Sequence, residues 1–77
     1  MLSQQELEQT IILNYLMNAR TANQKDLQRA LNLHGVAKTS FIKNIVLSLE
    51  KRFKLFGISL FNISANTAKC IRYTFLY

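Results

Sequence analysis

Apolar positions first recur with a helical period between residues 3 and 19, where Leu7, Ile11, Tyr15 and Asn18 fall on one line and Ile12, Leu16 and Ala19 on the next. Ser3, with Glu6 three residues later, has the form of a capping box, so the spacing predicts a helix over 3–19 with a broad apolar stripe. Arg20-Thr21-Ala22 breaks the pattern, and Asn23 is the expected cap of a shorter helix over 23–31 with Leu27, Ala30 and Leu31 facing inward. Gly35, in the turn Asn32-Leu33-His34-Gly35, can take the left-handed conformation that ends many helices.

A third helix is expected over 39–54, capped by Thr39 or Ser40. Phe41, Ile42, Ile45, Val46, Leu49 and Phe53 form its buried stripe, and Ser40, Lys43, Asn44, Leu47, Lys51 and Lys54 lie nearer the outside. From Ile58 the period changes to two. Ile58, Leu60 and Asn62 alternate with Ser59, Phe61 and Ile63, and Ile71, Tyr73, Phe75 and Tyr77 alternate with Cys70, Arg72, Thr74 and Leu76. Two strands, 58–63 and 70–76, follow, with the small polar segment Ser64 to Lys69 as a hairpin tip and Asn66 suited to a positive φ there. The expected fold class is therefore mainly α with a small β-hairpin, in one domain spanning 1–77, since no proline, repeat, low-complexity tract or linker marks a boundary.

Length and composition narrow the function. A chain of 77 residues, 49% of them hydrophobic, supports one small core and leaves little room for a deep catalytic pocket. No apolar run approaches the roughly 20 residues of a membrane-spanning helix, and the polar, acidic opening Met1 to Glu6 does not read as a secretory signal, so a cytoplasmic setting and no membrane partner are expected. A lone cysteine, Cys70, and a lone histidine, His34, supply neither an internal disulfide nor the usual zinc cage. Cys70 reads as a small buried hydrophobe, His34 as an exposed turn residue, and Asp26 and Glu50 as partners in surface pairs rather than as an acid and a base. No catalytic constellation, metal site, cofactor or small-molecule substrate is expected.

Charge changes the picture more. Residues 1–37 carry Arg20, Lys25 and Arg29 against Glu6, Glu8 and Asp26, whereas residues 38–77 carry seven basic residues against Glu50 alone, which accounts for the whole formal charge of +6. A one-sided basic excess is the footprint of an anionic partner, nucleic acid above all. Three helices followed by a hairpin is also the element order of a winged helix, in which the first helix only packs while the third helix and the wing meet DNA. The neutral first half and the basic second half fit that division of labour.

The stretch Leu27 to Leu33, the helix from Thr39 to Leu49, and the run Phe56-Gly57-Ile58-Ser59-Leu60 together resemble the winged-helix domains of Mga-type and PRD-containing bacterial transcription regulators, over about two thirds of the chain. The chain differs from them in an extra His34-Gly35-Val36-Ala37 stretch and in lacking arginines in the recognition helix from Thr39 to Leu49. The resemblance implies a helix-turn-helix that binds double-stranded DNA with its third helix in the major groove. Lys38, Lys43, Lys51 and Lys54 are then the expected phosphate contacts, with Lys69 at the wing tip reaching the minor groove or the flanking backbone. Thr39, Ser40, Lys43 and Asn44 are the expected base or phosphate readers, Asn44 being able to pair bidentately with adenine and Lys43 to donate to guanine. The aromatic run Tyr73, Phe75 and Tyr77 is expected to pack in the core, with a homodimer through this strand or the first helix as the second reading. The rival function is a winged helix that contacts protein, such as a replication-associated adaptor. Lysines sharing one face would favour DNA, and apolar exposure of Leu47 and Phe41 there would favour a protein. Single-stranded nucleic acid would require an exposed aromatic platform on the wing.

Overall fold

The computed structural model describes residues 3–36, 42–65 and 71–77. Its elements are α1 (Gln4–Ala19), β1 (Thr21–Asn23), α2 (Gln24–Leu33), α3 (Ile42–Lys54), β2 (Phe61–Ala65) and β3 (Ile71–Phe75). Three helices thus accompany a three-stranded antiparallel sheet of order β1-β3-β2.

Each helix has a local reason for its ends. At α1 the Glu6 N–H donates to Ser3 Oγ (3.2 Å), and the Ser3 hydroxyl lies 3.3 Å from the Glu6 carboxylate. The full reciprocal box forms at α2 instead, where the Asp26 N–H donates to Asn23 Oδ1 (2.9 Å) and the Asn23 N–H donates to Asp26 Oδ2 (3.1 Å). Asp26 is therefore a capping residue and not the surface ion-pair partner expected from sequence. Both glycines end helices by the same device. With Gly35 at φ +78, Val36 N–H donates to Leu31 O and Gly35 N–H to Asn32 O; with Gly57 at φ +73, Ile58 N–H donates to Phe53 O and Gly57 N–H to Lys54 O. These paired bonds define Schellman motifs, and the first delivers Val36 into the core.

The sheet differs from the expected two-stranded hairpin by one strand. Arg20, at φ 72, turns the chain after α1; its N–H donates to Leu16 O, and its carbonyl accepts the Phe75 N–H (2.8 Å). The positive φ is costly for a residue with a Cβ. Here it is held by the Arg20 guanidinium, which lies 5.4 Å over the Phe75 ring and donates to the Tyr77 carbonyl. Thr21, Ala22 and Asn23 then pair with Thr74, Tyr73 and Arg72. Three residues with one buried member, Ala22, carry no legible period of two, which is why this strand is invisible in the sequence.

β2 pairs with β3 from Phe61↔Phe75 to Ala65↔Ile71, so Ser64 and Ala65, expected in the hairpin tip, belong to the strand. The strand starts three residues later than the alternation suggested, because Ile58 completes the α3 cap and Ile58 and Ser59 remain exposed. Cys70 and Asn66 lie outside the described residues. Phe61, Ile63, Ile71, Tyr73 and Phe75 face the helices and pack in or against the core with Ile12, Leu16, Leu27, Leu31, Ile42, Val46 and Leu49. Thr21, Asn23, Asn62, Ser64, Arg72 and Thr74 make the opposite, polar face of the sheet. Tyr73 is fully buried in the central strand and Phe75 half-buried against Phe61, their ring centroids 5.9 Å apart for the latter pair, while Tyr77 stays exposed. Core packing thus accounts for two of the three aromatics. Both edges of β3 are already paired, leaving that strand no free edge for a partner copy.

Candidate nucleic-acid interface

α3 is oriented by its buried side. Ile42, Ile45, Val46 and Leu49 are its buried side, α3 packs on α1 and α2, and two polar ties set its position along that seat. Arg52 donates to Gln9 Oε1 on α1 (3.0 Å), and Gln9 is itself buried. Glu50 accepts the backbone N–H of Leu60 at 2.8 Å and that of Phe61 at 3.5 Å. The one acid of the basic half therefore fastens α3 to the entrance of β2. This overturns its reading as a surface charge pair: the chain reversal after Gly57 brings two backbone amides at the entrance of β2 against its carboxylate.

What remains outward is basic and polar. At about 100° per residue, Lys43, Lys54, Leu47, Lys51 and Asn44 fall in that order across an arc of about 100°, with Leu47 near its middle. All five are exposed, Leu47 to 40%. Of the residues singled out in sequence, Lys43, Asn44, Lys51 and Lys54 are thus brought onto one face. Lys38, Thr39, Ser40 and Lys69, like Phe41, lie outside the described residues.

Between α3 and β2 runs an open depression of about 590 Å³, lined by Asn44, Leu47, Ser48, Glu50, Lys51, Lys54, Phe61 and Ile63. Its floor is apolar and its helical wall cationic. The Ser48 hydroxyl donates to the Asn44 carbonyl (2.9 Å).

Sequence reasoning passed over Arg72. It stands exposed on the polar sheet face, opposite Ser64 on one side and Asn23 on the other. The alternation that sends Tyr73 inward sends Arg72 outward, and that signal was present in the sequence. Arg52, by contrast, adds to the charge count but is engaged by Gln9. His34 caps α2 and is exposed, as expected.

Among the described residues, no group of three His, Cys, Asp or Glu side chains could hold a metal ion, and no helix is long and apolar enough to cross a membrane. No family model, no curated protein and no solved structure matches the chain.

Proposed function

We propose that this chain is a winged helix-turn-helix domain that binds double-stranded DNA as a cytoplasmic transcriptional regulator, without catalytic activity. α3 enters the major groove, and the β2–β3 hairpin lies on the backbone or in the minor groove. The observation that carries the reading is the single exposed arc of Lys43, Asn44, Lys51 and Lys54 on the helix that follows the α2 turn. The element order helix, strand, helix, helix, two strands supports it, because three helices closed by a hairpin is the order of a winged helix, in which the third helix and the wing meet DNA. So does the charge map, which concentrates the basic excess in those elements.

Binding is then dominated by phosphate neutralisation, each lysine adding about one unit to the log–log salt dependence. The test is fluorescence anisotropy of random-sequence duplex DNA at two salt concentrations, with the wild type beside the Lys43→Ala/Lys51→Ala double variant. Salt-sensitive binding whose slope falls by about two units in the double variant is the expected result. Absence of binding at low salt refutes the reading.

One observation favours a second reading, a winged helix that contacts protein. Leu47 sits exposed within the basic arc, and Leu55 and Phe56, in the turn after α3, are 85% and 75% exposed. A domain that fails to bind duplex DNA but keeps its fold belongs to this alternative.

A further inference from the structure

Leu47 is the odd member of the α3 arc. A leucine with 40% of its surface in solvent, flanked by Lys43 and Lys54 on one side and Lys51 and Asn44 on the other, occupies the centre of the face that would meet the groove. If the lysines alone made the interface, the central position would be filled by a polar or small residue that leaves room for the phosphates. An apolar group at the centre of a cationic face is suited to an apolar object in an otherwise polar groove. The major groove of DNA offers one, the 5-methyl group of thymine.

The neighbours fit that occupant. Asn44 lies three residues before Leu47, which separates them by about 4.5 Å along the helix axis. Successive base pairs are about 3.4 Å apart. The two side chains can therefore address adjacent base pairs, with the Asn44 amide bonding the N6 and N7 edge of adenine and Leu47 covering a thymine methyl. The lysines at the rim, Lys43, Lys51 and Lys54, hold the helix on the phosphates without choosing between sequences. Leu47 also borders the open depression whose other side carries Phe61 and Ile63, so its side chain has apolar neighbours across that space.

Resting on the DNA-binding reading above, we infer that Leu47 is a specificity-determining residue that reads a thymine methyl in the major groove, paired with Asn44 on a neighbouring adenine. The preferred site has A·T pairs at the centre of the α3 footprint.

The experiment begins with selection of a preferred duplex from a random pool by the wild-type chain. Affinity is then measured for that duplex and for the same duplex with deoxyuridine in place of thymidine in the central pairs, using wild type, Leu47→Ala and Leu47→Met, each first shown by circular dichroism and thermal melting to be folded. Loss of one buried methyl contact is expected to weaken wild-type binding about fourfold. Leu47→Ala should bind both duplexes equally, and Leu47→Met, which keeps an apolar tip, should retain part of the discrimination. Selection of a site without central A·T pairs, or a wild-type affinity unchanged by deoxyuridine, overturns the inference while leaving DNA binding intact. So does a deoxyuridine effect of the same size in Leu47→Ala. Failure of the wild type to bind any duplex overturns both.

Discussion

Glu50 gives the sharpest test of how α3 and the sheet are joined. Its carboxylate holds the Leu60 N–H at 2.8 Å and the Phe61 N–H at 3.5 Å, and both of those residues are buried. A hydrogen bond to a charged group contributes about 1.5 to 3 kcal/mol, and a buried amide left without a partner costs about 1 to 3 kcal/mol. Because Glu50 is half-buried and its second bond is long, the low end applies to the first bond and little is added by the second. Glu50→Ala is therefore expected to cost about 2 kcal/mol. Glu50→Gln, which keeps one acceptor oxygen for Leu60, is expected to cost about half of that. For a domain of this size, 2 kcal/mol lowers Tm by about 8 to 16 °C. The assay is urea and thermal denaturation of wild type and both variants, with unchanged m-values confirming that the native and unfolded states remain comparable. A change below about 0.5 kcal/mol in Glu50→Ala is what an ordinary surface position gives, and it would refute the tie. Equal losses in Gln and Ala would refute the acceptor role.

Tyr73 is fully buried, and its hydroxyl has no hydrogen-bond partner among the described residues, so Tyr73→Phe should be neutral or stabilise the domain by about 1 kcal/mol in denaturant melts. Destabilisation beyond about 1 kcal/mol would mean that the hydroxyl is bonded. Burial also raises the Tyr73 pKa above its ordinary value of 10.0. The native state keeps this proton where the unfolded chain releases it, so the associated stability is whole below about pH 10 and is lost as pH climbs beyond it, at no more than about 1.4 kcal/mol per unit. Alkaline unfolding curves of wild type and Tyr73→Phe should diverge there and coincide at neutral pH apart from a constant offset. At Gly57 an added Cβ meets nothing within 4 Å, yet φ is +73, so Gly57→Ala is expected to cost about 1 kcal/mol from backbone conformation alone and Gly57→Asn less. Equal stabilities of the three forms would contradict the left-handed cap.

Much of this molecule is determined locally. Ser3 and Asn23 start helices, Gly35 ends one, and the stripes Ile12/Leu16, Leu27/Leu31 and Ile42/Val46/Leu49 turn inward because each depends on a period of 3.6 that neighbouring residues carry by themselves. Their complement was legible for the same reason: positions away from the stripe on one helix share a face, which fixes Lys43, Asn44, Lys51 and Lys54 together before any tertiary contact is known. The tertiary structure decided what depends on partners distant in sequence. Thr21 to Asn23 become a strand only because β3 supplies bonds some fifty residues away, and three residues cannot announce that by pattern. Glu50 becomes a tie instead of a surface charge because the reversal at Gly57 brings the Leu60 amide to it, and Arg52 is engaged because α1 places Gln9 beside it. Which side of the β2 alternation is buried, and hence that Phe61 and Ile63 floor the depression beside Leu47, follows from the register with β3. A helix face is a property of one segment, whereas a strand, a buried polar bond and a groove each need two segments to meet.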